Sequence, residues 1–454
     1  MGNLIKKEAK EVRGILGRIK RRDLKGNSGQ AIKNSSYAFA TTLLTKIGSF
    51  AFTIILARIL MPELFGLYSL ALATIIMFTV FSNLGFGSAM IIFVSKSLKK
   101  GDPGKAKAYF EGLLKYRIYL ILFTSFLLLA LANFIAKIYY NKPIFFALLA
   151  GAIYLPIMSL QGYLGAVFQA ENKFKYPMIQ EIIFQLLRLT IIPLTILFLL
   201  NLPKSIIILV LILLTALCHL AGLLYLRITS SKKITFLKSS KKILTSDEKK
   251  RVKKFIIPVS LTVLSGMFFG YIDTLMLGHY VESAFIGYYG VALGLVGSIA
   301  ALIGFIPGSL LPIFSRLRGE SLERAFKKTR TLIILISIPT IILTVFIAKY
   351  IIMIYGAMYA PAILLLQLFS VLILTLPLSG LYNVYLTSME KTATIAKLSI
   401  FSTLLNILLN WRFITYGLRI GMMQAVMGAV IATIISRVVY LMGIHILKKK
   451  SINK

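Results

Sequence analysis

Residues 36–60 read SYAFATTLLTKIGSFAFTIILARIL, an apolar run interrupted by one lysine, Lys46, before Arg58 marks its end. Roughly 20 mostly apolar residues cross the hydrocarbon core as a helix. The run is therefore a membrane span. Further stretches of that length follow at 64–94, 117–140, 144–169, 178–201, 205–227, 255–279, 284–314, 331–355, 362–388, 397–416 and 421–447. The expectation is twelve transmembrane helices, spans 1 to 12 in that order. The stretches 64–94 and 284–314 exceed one crossing and are expected to tilt or break.

Composition agrees. Of 454 residues, 58% are hydrophobic and 15% charged, outside the range of soluble domains at about 25% charged. The formal net charge is +37. A basic chain of this size suggests nucleic acid, but the basic residues lie between apolar runs, so no nucleic-acid partner is expected. With both termini inside, 42 of the 52 basic residues fall in segments assigned to the cytoplasm, seven lie outside or at outer helix ends, and Lys46, Arg188 and Arg437 remain within spans. Lys and Arg accumulate on the cytoplasmic side. The loops 96–116, 228–254 and 316–330 are thus placed inside, and 280–283 outside. The division expected is a basic segment 1–35, an N-lobe 36–227, a basic linker 228–254, a C-lobe 255–447 and a basic tail 448–454. In the first segment Ile5, Val12, Ile15, Leu16 and Ile19 share one helical face, suited to an anionic inner leaflet or to an orientation signal alone. No secretory signal peptide is visible.

The two halves repeat. Phe65-Gly66-Leu67-Tyr68-Ser69-Leu70-Ala71 aligns with Ile286-Gly287-Tyr288-Tyr289-Gly290-Val291-Ala292, and Leu155-Pro156 with Leu376-Pro377, both at an offset of 221. Phe134-Ile135-Ala136-Lys137 recurs as Phe346-Ile347-Ala348-Lys349, and Glu171 matches Glu390. Six spans per repeat is an even number, so both halves enter from one side and are related by an axis along the membrane normal. The fold class expected is an all-α polytopic membrane protein: two pseudo-symmetric six-helix bundles, V-shaped about a central cavity.

Three motifs carry a resemblance. They are Leu56-Ala57-Arg58-Ile59-Leu60-Met61-Pro62-Glu63-Leu64-Phe65-Gly66-Leu67-Tyr68, then Tyr271-Ile272-Asp273-Thr274-Leu275-Met276-Leu277-Gly278 followed by Ile286-Gly287-Tyr288-Tyr289, and finally Leu405-Asn406-Ile407-Leu408-Leu409-Asn410 with Tyr416-Gly417 and Gly428-Ala429-Val430-Ile431-Ala432-Thr433. Together they resemble the polysaccharide transporter family of lipid-linked oligosaccharide flippases, in the superfamily that also holds multidrug and toxin extrusion antiporters and lipid II flippases. The spacing from Gly417 to Gly428 is longer than that family's usual pattern. The resemblance implies a plasma-membrane flippase that moves a polyprenyl-diphosphate-linked oligosaccharide outward by alternating access, alongside glycan-assembly machinery.

Ionisable residues inside a span are costly and mark function by default. Thr42, Thr45, Lys46, Ser49 and Thr53 form a polar stripe on span 1. In span 5, Glu181, Gln185, Arg188 and Thr195 repeat near helical spacing. Lys46 as a point charge and Arg188 as a bidentate fork suit a diphosphate, and Thr42, Thr45, Lys46, Ser49 and Arg188 are the candidate cavity residues. Span 7 offers Thr262, Ser265, Gly266 and Asp273. Asp273 could pair with Lys46 or Arg188 structurally, or bind the proton or sodium ion that drives transport. Glu181 could tie to Arg188, although i,i+7 spans about 10 Å. Arg437 is expected to snorkel, Cys218 and His219 to pack, and Arg58 to cap its helix or guard the outer mouth.

Cys218 is the single cysteine and there are three histidines, so a disulfide framework or zinc site is not expected. No nucleotide loop or catalytic triad appears, and neither enzyme activity nor a cofactor is expected. The rivals are a cation-coupled drug antiporter, which would want acids in span 1; a lipid II-type flippase, which usually has fourteen helices; and a membrane glycan polymerase or ligase, which would want a long outer loop.

Overall fold

The computed structural model describes residues 26–310, 314, 317, 319–389 and 391–452, with side chains described over 33–308, 310, 314, 317, 319–389 and 391–449. The amphipathic face from Ile5 to Ile19, and Glu390, lie outside the described residues. Among the described residues every regular element is helical.

The first helix runs Gly26–Asn83, 58 residues. Unbroken, it would extend about 87 Å, nearly three times the hydrocarbon core. It breaks at Met61, whose φ of 59° and ψ of 169° are not helical, immediately before Pro62, which has no N–H to continue the ladder. Spans 1 and 2 meet there. Span 2 breaks again at Leu84 and Gly85, with φ of 30° and 75°, and resumes as Phe86–Lys99. Glycine tolerates that backbone, and Ser260 Oγ donates to the exposed Leu84 carbonyl at 2.9 Å.

The other spans follow as Pro103–Asn133 with a π-helical turn Phe134–Tyr139, Phe145–Ala170, Lys175–Leu199, Lys204–Lys233, Ser246–Tyr280, Ser283–Ser309, Gly319–Met353, Ala362–Phe369 with Leu372–Ser388, Thr392–Leu418 and Met422–Ile452. Among the described residues, eleven helical stretches are long and apolar enough to cross a membrane, the first being Lys33–Lys99. That stretch contains two crossings, which makes twelve. Span 8 ends at Ser309, short of the expected 314. Twelve crossings put the loops near residues 100, 240 and 320 on one membrane face, the basic face, and the turns at 61 and 281 on the far face.

The repeat is visible in the packing. Phe110 stacks on Tyr163 at 5.6 Å in the N-lobe, and Phe326 meets Tyr385 at 5.1 Å in the C-lobe. Within the expected linker 228–254, the helix of span 6 continues to Lys233 and that of span 7 begins at Ser246. Thr245 and Glu248 form a capping box at its start. Between them Phe236 is fully buried against Phe110. Lys241 pairs with Glu111, Lys242 with Asp102, and Lys105 with Glu248. Two lysines of this segment are held by acids at the start of the span 3 helix, and its Glu248 holds Lys105 of that helix, so it docks on the N-lobe.

The lobes meet tightly at the far face. A Cβ on Gly66 would lie 1.7 Å from the Ser283 carbonyl, and one on Gly287 would lie 2.3 Å from that of Pro62. Arg58 Nε donates to the Ile354 carbonyl at 2.5 Å, Tyr359 to that of Ala57 at 3.1 Å, and Lys142 to that of Val281 at 2.9 Å. Arg58 therefore stitches the two halves together and does not cap its own helix.

Candidate cavity wall and buried polar cluster

On span 1 the hydroxyls of Thr42, Thr45 and Thr53 donate to carbonyls one turn back, at 3.0, 2.8 and 2.7 Å. This back-bonding satisfies each hydroxyl within its own helix, so the stripe presents methyls as well as polarity. Lys46 is half-buried and makes no ion pair among the described residues.

Arg188 reaches the same stripe. Its guanidinium donates to Ser49 Oγ at 3.1 Å and to Gln185 Oε1 at 2.9 Å, and stacks over Phe52 at 4.4 Å and Phe184 at 5.0 Å. Its Nε is buried without a partner. Gln185 in turn donates to Glu181 Oε1 at 2.7 Å. The direct Glu181–Arg188 tie is absent, as the helical distance requires, and Gln185 relays between them. Gly48 makes room for this: a Cβ there would lie 2.5 Å from Gln185 Oε1. Spans 1 and 5 thus bring Lys46, Ser49 and Arg188 onto one wall of the N-lobe. Two cations stand on it, and its carboxylate is held by an amide.

Behind this wall His219 is more than packing. A carbonyl can only accept, so His219 Nδ1–H donates to Gln161 Oε1 at 2.5 Å, leaving Nε2 to accept from Tyr154 at 3.3 Å. Cys218 is buried, as expected.

Asp273 pairs with neither Lys46 nor Arg188. It is 3% exposed and lies within the C-lobe, not on the inter-lobe face. Its carboxylate accepts from Tyr289 at 2.8 Å, Asn410 at 2.5 Å and Thr433 at 2.5 Å. Spans 7, 8, 11 and 12 converge there. Asn406 is fully buried beside it with both amide atoms unpartnered, and Asn410 Oδ1 is unpartnered too. Orphaned buried polar atoms are rare and call for an explanation. Arg437 does not snorkel. It lies over the Phe269 ring at 3.6 Å and donates to the Phe269 carbonyl at 2.9 Å; Phe269 stands one turn before Asp273, and Arg437 one turn after Thr433. Among the described residues no group of three or more His, Cys, Asp or Glu gathers. Asp273 is a single carboxylate held by two hydroxyls and one amide.

One buried cation escapes sequence reading. Arg117, the first residue of span 3 and counted with the cytoplasmic charges, is 3% exposed. It donates to Asn83 Oδ1 at 3.2 Å and the Ser159 carbonyl at 2.7 Å, over the Tyr163 ring at 5.2 Å. It holds the break in span 2. The available signal was its place among apolar residues of span 3.

A family model described as Polysaccharide biosynthesis protein matches residues 31–318, and one described as MatE matches 258–412. No curated protein matches. Among solved structures, an inward-facing multidrug resistance MATE family transporter of the MOP superfamily is 15% identical with a TM-score of 0.73, covering 90% of this chain and 96% of that one. The lipid II flippase MurJ, in an inward closed conformation, is 17% identical with a TM-score of 0.62, covering 90% and 87%. A MOP superfamily transporter from Pyrococcus furiosus, described by a binding pocket of reverse polarity, is 14% identical with a TM-score of 0.56, covering 95% and 98%. At such identities the likeness is one of fold, the twelve-span, two-lobed fold expected above.

Proposed function

The chain belongs to the polysaccharide biosynthesis protein family, and from that premise we propose that it is a flippase for a polyprenyl-diphosphate-linked oligosaccharide. The observation that carries the reading is the cationic wall, where Lys46 and Arg188 flank Ser49 and, among the described residues, no carboxylate pairs directly with either. A diphosphate needs fixed positive charge to leave water for a membrane cavity. Arg188 retains an unpartnered Nε, and Lys46 supplies an ammonium one turn from Ser49. A drug–cation antiporter would require acids on the same wall, and Glu181 is turned to Gln185 instead. In this reading the basic face is cytoplasmic, the head group enters from it, the sealed far face opens to the outside, and the membrane is the plasma membrane, beside the enzymes that build and use the glycan.

The Asp273 cluster supports ion coupling. One carboxylate with orphaned amide oxygens from Asn406 and Asn410 is an oxygen-only donor set, which suits a hard cation such as sodium, or a proton on Asp273 itself. The test is complementation of surface glycan in a flippase-deficient host. The Lys46→Ala, Arg188→Ala double variant should lose glycan export while its protein level, checked by blot, persists. Full complementation by that variant overturns the reading and restores the antiporter.

A further inference from the structure

One cavity remains unexplained by the cationic wall. A pocket of about 620 Å³ opens between spans 1, 8 and 10 in the half of the protein nearer the basic face. Its volume is in the range of ligand sites. Its lining includes Thr42 of span 1, Gly297, Ala301, Gly304 and Phe305 of span 8, and Leu376 of span 10. No charged residue lines it. Its hydroxyls are those of Ser35 and Thr42, and the Thr42 hydroxyl already donates to the Ala38 carbonyl. Two hydroxyls without a cation are too little to hold a diphosphate or an oligosaccharide. The occupant is apolar.

The pocket is also open where a close-packed interior would be filled. A Cβ on Gly297, Gly304 or Gly308 would meet no atom within 4 Å, whereas protein interiors leave few voids larger than a water molecule. The same helix packs without slack at its other end, where Gly287 touches the Pro62 carbonyl. Span 8 is therefore tight against the N-lobe at the far face, while towards the basic face it touches span 1 through the Phe39–Phe305 ring contact at 4.6 Å and leaves open space beside its glycines.

Position selects the occupant. Thr42 belongs to the polar stripe and lies four residues, about 6 Å, from Lys46 on one helical face. A lipid whose diphosphate rests at Lys46 has its first hydrocarbon units within reach of this pocket. The chain leaves bilayer hydrocarbon when the head enters the cavity, and an apolar pocket beside the head continues that environment where polar groups would not. We propose that the pocket between spans 1, 8 and 10 holds the diphosphate-proximal segment of the lipid carrier's hydrocarbon chain. The inference rests on the flippase reading above and adds a subsite to it.

The experiment uses the full chain in vesicles and an isoprenoid-diphosphate monosaccharide with a diazirine in the units nearest the diphosphate. Adducts are mapped by mass spectrometry after illumination. The expected adducts fall on Ala301, Phe305 or Leu376. Gly297→Leu and Gly304→Leu should each lower them at least tenfold while the thermal midpoint stays unchanged, because the added atoms enter open space. Should those variants misfold, the adduct map of the unaltered protein decides alone. Adducts on Ser49 or Phe52 but none in the pocket would overturn the subsite and leave the flippase reading standing. A phosphatidylcholine with the same group in its acyl chain is the second arm. If it labels the pocket and excess isoprenoid diphosphate does not displace it, the pocket is a phospholipid groove and the proposal fails. If the isoprenoid probe labels neither the pocket nor the Lys46 wall, the flippase reading falls with it.

Discussion

Gly66→Ala probes whether the two lobes part at the far face. The glycine lies in regular helix, where alanine is favoured by about 1 kcal/mol in isolation, so nothing within the N-lobe opposes the change. Across the seam the new methyl would lie 1.7 Å from the Ser283 carbonyl and 2.9 Å from the Gly287 amide nitrogen. Both are backbone atoms of the other lobe and cannot swing aside. Overpacking of this kind costs about 1–3 kcal/mol, and that cost vanishes when the lobes separate. The far-face-open population should therefore rise by roughly 5- to 150-fold, at about 1.4 kcal/mol per factor of ten. The assay is reaction of Ser69→Cys, in a Cys218→Ser background, with a membrane-impermeant maleimide from the far face. Ser69 is one turn inside the seam and faces Gly290. A labelling rate that rises in that range supports a rocking seam. An unchanged rate, with or without a lower thermal midpoint, would refute the reasoning, because the strain would then have no open state to relieve it.

Asp273→Asn should lower the thermal midpoint, because an amide cannot accept from Tyr289, Asn410 and Thr433 as a carboxylate does, and a buried group left unsatisfied costs about 1–3 kcal/mol. Melting in sodium against potassium buffer, and at two proton concentrations, should show an ion dependence in the parent that the variant lacks; equal dependence in both would take Asp273 out of coupling. The linker should loosen in acid. The Lys105 backbone amide, then Lys242, hold the Asp102 carboxyl below the usual range, and the Lys105 ammonium does the same for Glu248. Depressed carboxyl values mean the ties are intact above the free carboxyl range near 4 and are lost as pH falls through the lower folded values. Acid-stable protease cleavage around Lys241 and Lys242 should therefore be slow at pH 5 and accelerate below about pH 4, and Lys105→Ala with Lys242→Ala should allow tryptic cleavage there at neutral pH. A pH-independent rate, equal in the variant, would contradict the docked linker.

The span count was legible because twenty apolar residues have few other uses, and the break at Met61–Pro62 because proline removes a donor where the chain must turn. The candidate cations were legible for the same reason: charge in an apolar run stands out. Their partners were not. Asp273 and Arg188 are each one cation or anion in a list of spans, and sequence offers no way to see that Asn410 and Thr433 approach the first, or that Gln185 takes Glu181 away from the second. Those choices depend on which helix faces meet. Arg117 was misjudged because a charge at the end of an apolar run reads as loop until Asn83 and the Ser159 carbonyl are seen to enclose it. What holds the linker was not legible either, since of its eleven basic residues between Arg227 and Lys254, Lys242 and Lys241 are held by acids over a hundred residues earlier, Asp102 and Glu111.

The central claim is that a cationic wall carries a lipid diphosphate across the bilayer. Purified protein in vesicles, loaded with a fluorescent polyprenyl-diphosphate sugar and quenched from one side, measures that transfer directly. The account predicts transfer by the parent, at least a tenfold loss in Lys46→Ala and in Arg188→Ala, and partial recovery in Lys46→Arg. Transfer at the parent's rate in the double variant, or none by the parent in either orientation and under any sodium or proton gradient, would contradict it.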